Sequence, residues 1–273
     1  MMILGYLLTV LMGVILGVIG GGGSILTVPI LVYLMGVAPD IATGYSLLLV
    51  GATAAFGAIR YFREGLVDIK ASLLFAIPSI ITVYLTRAYL MPIIPDDITL
   101  TPIHITKNTA IMVLFAVLML GSAVMMLRKS FRAKTTLNTP ESASTSKQHI
   151  IGDKFALIML EGMVIGVVTG ILGAGGGFLI IPALVLFLGM PMKNAVGASL
   201  FIIALKSLLG FLGDLQTGIT LDVPLLPMML VATFIGMTIS TKVAKKLEGP
   251  TLERFFAVFT LIIAIFIMSK ELL

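Results

Sequence analysis

One lysine stands where the chain is otherwise apolar. Lys206 sits within Phe201-Ile202-Ile203-Ala204-Leu205-Lys206-Ser207-Leu208-Leu209, near the middle of a long apolar segment. A charge at that depth in lipid is costly and by default serves a function. An ammonium there attracts a small anion. The competing roles are structural: snorkelling of the long side chain to an interface, or pairing with Glu161. Glu161 lies seven residues into Phe155–Leu172. It is either a proton-coupling carboxylate or that structural partner. Other chemistry is scarce. Without a cysteine, thiolate and disulfide chemistry are excluded. His104 and His149 are isolated in loops, no metal-ligand cluster is visible and no cofactor is implied.

The second set of candidates is backbone. Gly20-Gly21-Gly22-Gly23-Ser24 interrupts the apolar run from Ile3 to Leu34. Each glycine inside a helix costs roughly 1 kcal/mol against alanine, so the helix breaks here. In a membrane such a break is tolerated only inside protein or beside a watery cavity. It also starts a new helix, whose bare N–H groups and positive dipole end suit an anion. The run lacks the Gly-Lys-Ser/Thr of a phosphate-binding loop, so an ATP-driven pump is not expected.

The device occurs twice. Gly173-Ala174-Gly175-Gly176-Gly177 precedes Phe178-Leu179-Ile180-Ile181-Pro182, and a shift of 153 positions superposes it on Gly20 to Pro29 without a gap. From Gly13 to Leu47, 15 of 35 positions are then identical, too many for chance composition alone. Paired interrupted segments in two halves point to a solute-binding site. Ser46 and Ser199 sit at matched positions and are candidate donors, as are Thr43 and Asn194; back-bonding or capping is their ordinary alternative. Lys206 falls opposite Thr53, so the site is not twofold in charge. Gly13 and Gly17, with Gly166 and Gly170, fit close helix crossings instead. Arg60 and Arg87 read as loop-end charges that orient their helices, with a vestibule for the anion as the alternative.

The elements that position these residues are membrane helices. The chain has 273 residues, is 59% hydrophobic and only 11% charged, against about 25% charged in soluble domains. Its net charge of +5 comes from basic residues gathered in a few loops and signals no nucleic acid. Apolar segments fall at 3–20, 25–36, 41–59, 69–92 and 108–127, then at 155–172, 178–189, 194–212, 223–241 and 252–269. Ile3 to Ile19 lacks a basic leader and an Ala-x-Ala site, so it reads as mature helix. A span needs about 20 residues. Segments 25–36 and 178–189 are too short, and each forms the return arm of a broken hairpin; two tilted spans are the alternative. This gives an all-α polytopic membrane protein of two repeats, 1–127 and 155–273, each with a glycine-broken hairpin and about three spans.

Residues 128–154 join the repeats. Their basic start, Arg128 to Lys134, places them in the cytoplasm. Working outward, Asp40, the 93–107 loop and the Asp214–Asp222 loop lie outside. Arg60, Arg63, Lys193 and the loop with Lys242, Lys245, Lys246 and Arg254 lie inside. Asp40 and Lys193 occupy equivalent positions with opposite charge, so the repeats are inverted and both termini face outward. Asp68 and Asp222 precede proline-containing helices and read as N-caps.

The repeated Gly-x-x-Gly-x-Gly-Gly-x-x-x-x-x-Pro signature, followed by Ala/Gly-x-Ser, resembles the TauE/SafE family of sulfite exporters, also called 4-toluene sulfonate uptake permeases. The resemblance covers both halves. It implies a secondary transporter in the cell membrane for a small sulfur-containing anion such as sulfite, sulfoacetate or another organosulfonate. The anion-binding residues would be Gly20, Gly21, Gly22, Gly23, Ser24, Ser46, Gly173, Gly175, Gly176, Gly177, Ser199 and Lys206. Gly21 and Ser24 stand where the second copy has Ala174 and Gly177, so the pocket is asymmetric. A passive anion channel with the same glycines is the alternative, and an intramembrane enzyme would need Lys206 and Glu161 to meet. Partners are the bilayer and the anion, with a homo-oligomer left open.

Overall fold

A computed structural model of the protein describes residues 2–95, 97–100, 103–135, 155–173, 175–244 and 249–272. The connection 136–154 with His149, Ala174, and Lys245 and Lys246 lie outside the described residues. Helix α1 (Met2–Ile19) ends at the first glycine run. A 3-10 turn (Gly21–Gly23) leads into α2 (Ser24–Pro29), prolonged by a wider π-helical turn over Ile30–Leu34. Then come α3 (Pro39–Arg63), α4 (Ile69–Leu85, continued by a π turn and Met91–Ile93) and α5 (Lys107–Thr135). The second half supplies α6 (Phe155–Leu172), α7 (Gly177–Pro182 with a π turn over Ala183–Phe187), α8 (Met192–Gln216), α9 (Leu225–Ala244) and α10 (Gly249–Leu272). Between α4 and α5 lies a short antiparallel hairpin, Asp97–Leu100 with Ile103–Thr106, which holds His104.

Local sequence explains where these elements stop. Pro29 and Pro182 lack an N–H and crowd the preceding turn, and the chain widens into a π turn at once after each. Gly65 and Gly218, at φ +69° and +79°, end α3 and α8 in the left-handed conformation that glycine adopts without a Cβ clash. Leu66 N–H and Ile219 N–H then reach back to Tyr61 O and Asp214 O, a matched pair of helix stops. Asp68 Oδ1 accepts Ala71 N–H at 3.2 Å and Asp222 Oδ1 accepts Leu225 N–H at 3.1 Å, so both are the N-caps that the sequence predicts.

Among the described residues four helical stretches are long and apolar enough to cross a membrane: Pro39–Arg63, Ile69–Ile93, Lys107–Arg128 and Met192–Gln216. The α1–α2 segment folds back on itself. Gly5 near its start lies against the Met35 side chain at its end, and Gly23 packs on Leu16. The two arms thus pack as an antiparallel hairpin about the first glycine run.

Helices α3 and α8 form the centre and run antiparallel. Gly44 faces Asp214 and Ile219, Gly51 faces Leu208, and Gly197 faces Tyr61 and Leu66. The first and third of these contacts are related by the 153-residue shift, as are Gly20 on Val196 and Gly173 on Thr43. Contacts that repeat when the halves are exchanged are those of an isologous, twofold-like interface. The halves also interlock. Helix α1 packs in parallel along α9, where Gly13, Gly17 and Gly236 let the backbones meet. Helix α6 packs in the same way along α4 through Gly162, Gly166 and Gly170. Small residues at such crossings permit close van der Waals packing, the main attraction between helices in lipid. Helix α10 lies along α5.

Candidate functional site

The two glycine runs come together. Gly20 to Gly23 and Gly173, Gly175, Gly176 and Gly177 are all buried, and Gly21 abuts Gly177 backbone to backbone. A Cβ on either residue would fall inside the other's van der Waals envelope. Gly20, Gly173, Gly175 and Gly176 have φ between +62° and +75°, so the sharp turns there depend on glycine. Ser24 Oγ donates to Gly21 O at 2.6 Å, closing the first turn locally. Among the described residues, the first N–H groups of α7 to find a carbonyl are those of Leu179 and Ile180, both on Gly176 O at 3.0 Å. Gly177, the first residue of α7, thus starts that helix against the first glycine run.

Lys206 belongs to this junction. Its side chain is fully buried, which excludes snorkelling. Its Nζ donates to Thr169 Oγ1 at 2.8 Å and lies beside the Cα of Gly176, where a Cβ would crowd it. Thr169 is the partner, not Glu161: Glu161 is half-buried on α6, eight residues or about 12 Å along the helix from Thr169. No acidic side chain pairs with Lys206 among the described residues. A buried charge is costly unless it is paired, so a protonated Lys206 would need an anion beside it. The matched residue Thr53 is neutral and bonds Leu49 O at 2.6 Å and Thr233 Oγ1 at 2.7 Å.

The hydroxyls divide. Ser199 Oγ back-bonds to Val196 O at 2.8 Å, where it also meets Gly20. Ser46 Oγ, Thr27 Oγ1 and Ser207 Oγ are buried with no partner among the described residues. Buried polar atoms are seldom left so. Asn194 is half-exposed at the start of α8, and Lys193 is exposed.

Two charges lie elsewhere than the sequence places them. Arg87 is no loop-end charge: it sits in the π turn that continues α4 and is 2% exposed. Asp214 is no loop residue: α8 runs on to Gln216 and buries it. The two pair at 3.3 Å, and the same Arg87 Nη1 donates to Thr43 Oγ1 at 3.0 Å. Thr43 in turn packs on Gly173. Sequence reasoning missed this pair because Arg87 and Asp214 fall near predicted segment ends, where charges are ordinary. A charge still inside the apolar stretch was the only available signal. Arg60, by contrast, is where it was expected, half-exposed and bridged to Glu64 at 3.0 Å.

Two pockets gather charged side chains at opposite ends of α3. One of about 350 Å³ is lined by Asp40, Arg87, Lys107, Asp214 and Thr220. The other, about 520 Å³, is lined by Gly17, Arg60, Tyr61, Glu64 and Ser240. There Tyr61 Oη donates to Gly17 O at 3.0 Å. The loops that the charge pattern assigns to one face thus gather around the first pocket, and those assigned to the opposite face around the second.

Membrane-length apolar helices around a buried junction define a helical polytopic membrane protein. The chain belongs to the Sulfite exporter TauE/SafE family, whose family model matches residues 6–267. It is 28% identical over 264 residues to a "Probable membrane transporter protein" of Xylella fastidiosa, covering 96% of this chain and 92% of that one. It is 26% identical to the "Probable membrane transporter protein YunE" of Bacillus subtilis, over 78% of this chain and 79% of that one. A likeness of 26% extends to the "Probable membrane transporter protein MJ0441" of Methanocaldococcus jannaschii, over 76% and 72%. No solved structure matches. Family and relatives make the protein a membrane transporter rather than an enzyme.

Proposed function

We propose that the protein is a secondary transporter that exports a sulfur-containing anion, such as sulfite, sulfoacetate or another organosulfonate. The anion binds near the membrane midplane, where the α1–α2 and α6–α7 tips meet. The single observation that carries this reading is Lys206: a fully buried lysine amine, hydrogen-bonded to a neutral threonine and set against the glycine start of α7. The anion takes its charge from Lys206 and its orientation from N–H groups of the glycine runs and from Ser46, with Ser24 and Ser199 shaping the turn. Glu161 is the candidate proton carrier in this scheme.

The contact of Gly21 with Gly177 favours a carrier over a channel, since the tips close on each other. Transport then requires them to part toward one face at a time. The interlocked packing favours composite movers, α1 with α9 and α4 with α6, over the two sequence halves. The repeats act as inverted units, with the linker in the cytoplasm and the termini outside, on the strength of the loop charges and the antiparallel α3 and α8.

The test is uptake of labelled sulfite and sulfonates into proteoliposomes, with counterflow. A carrier shows saturable flux accelerated by anion on the far side, and Lys206→Ala abolishes it. Absence of saturable anion flux, or flux indifferent to Lys206→Ala, refutes the site.

A further inference from the structure

The densest polar cluster outside the glycine junction is the Arg87 pocket. Four elements converge there: the start of α3 with Asp40, the end of α4 with Arg87, the start of α5 with Lys107, and the end of α8 with Asp214. Arg87 and Asp214 are 2% and 6% exposed. Arg87 spends one nitrogen, Nη1, on both Asp214 Oδ1 and Thr43 Oγ1. Its Nε and Nη2 have no partner among the described residues, and neither do Asp214 Oδ2 and Asp40 Oδ1. A guanidinium is a fork that fits an oxyanion with two parallel bonds, and one 3.3 Å contact uses little of it. The neighbouring phenols are committed: Tyr45 Oη donates to Thr220 O and accepts Asp222 N–H, and Tyr84 Oη donates to Gln216. Lys107 Nζ donates to Met91 O at 3.1 Å.

We propose that Arg87 is a second anion station, in which the transported anion displaces Asp214 from the guanidinium and Asp214 takes up a proton as it is released. This rests on the anion-transport reading above and moves the coupled proton from Glu161 to Asp214. The reasoning is one of charge balance. With Asp40, Arg87, Lys107 and Asp214 all ionised, these four described groups carry no net charge and show an arriving anion two carboxylates. Nε and Nη2 offer that anion a better pair of bonds than Asp214 makes. Once its cation is taken, a buried carboxylate is neutralised rather than left bare. One anion and one proton have then entered, the Arg87–Asp214 contact has been exchanged for an Arg87–anion contact, and the pocket's net charge is unchanged.

Thr43 connects the station to the glycine junction. Its hydroxyl accepts from Arg87 Nη1 while its main chain and Cβ bear on Gly173. Reorienting Arg87 toward an anion therefore releases the support of the α6–α7 tip. The opposite pocket also holds an Arg–carboxylate pair, Arg60 with Glu64 at 3.0 Å, but that pair is part-exposed and lies within one helix end. Tyr61 occupies the position matched to Asp214 and holds Gly17 O through a neutral hydroxyl. Proton coupling is thus built into one end of the molecule.

The full chain in proteoliposomes with an internal pH dye tests this, using methanesulfonate, which carries no proton near neutral pH, beside sulfite. In the native protein an inward methanesulfonate gradient acidifies the lumen by one proton per anion. In Asp214→Asn the protons taken in per anion fall to none, with counterflow reporting how much working carrier remains. Arg87→Lys, which lacks the fork, raises the half-saturating anion concentration about tenfold or more. Because Arg87→Gln alone strands Asp214, the neutral pair Arg87→Gln with Asp214→Asn is the folding control. In detergent the native protein takes up one proton as methanesulfonate binds, and the double variant takes up none. Acidification that persists in Asp214→Asn overturns the proposal, as does acidification lost in Glu161→Gln and kept in Asp214→Asn. A native protein that moves no anion refutes the transport reading itself.

Discussion

Gly21→Ala puts one methyl group where the two halves touch. Gly21 is not among the positive-φ glycines, so alanine suits its backbone and the cost is purely one of close approach. The group it meets is the Gly177 backbone, which has no rotamer to yield. An added methyl in a packed core costs about 1–3 kcal/mol, and backbone on the far side sets it at the upper end. About 3 kcal/mol corresponds to a change of roughly 150-fold in the population of the closed junction. If the whole fold carries the cost, melting falls by roughly 6–12 °C. If the tips part instead, the protein stays folded and the junction opens. The native chain has no cysteine, so a single reporter at Thr27, buried in the closed junction, separates these outcomes. We expect Gly21→Ala and Gly177→Ala to accelerate thiol labelling at that reporter or to lower the melting temperature. The comparison is Gly36→Ala, where φ is +70° but no atom lies within 4 Å, so only the backbone cost of about 1 kcal/mol applies. Native-like melting, labelling and flux in Gly21→Ala would refute the claim that the tips close on each other.

Lys206→Met removes a buried charge and keeps the chain length, so it raises the melting temperature in detergent while anion flux is lost; a loss of stability would show that the ammonium is structural. Tyr61→Phe removes the hydroxyl bond to Gly17 O and costs about 0.5–1.5 kcal/mol, and it speeds labelling of junction cysteines from the Arg60 end only, as membrane-impermeant reagents would report. Asp68→Ala and Asp222→Ala each lose an N-cap worth about 1 kcal/mol, lowering the melting temperature with saturable flux retained.

The sequence by itself determined the class of the fold and much of the local structure. Segment length and the scarcity of charge call for membrane helices, and glycine runs followed by proline call for breaks, because both depend on neighbours in the chain. The N-caps at Asp68 and Asp222 and the glycine crossings at Gly13 and Gly17 were legible for the same reason. Tertiary structure decided what those elements touch. Arg87 and Asp214 are 127 positions apart and meet only because α4 lies against α8. Thr169 is the partner of Lys206 because α6 crosses behind the glycine tip, and α1 belongs beside α9 rather than within its own half. Apolar periodicity marks a face as buried without naming the surface that buries it, and a buried charge takes whatever polar atom the packing brings within reach.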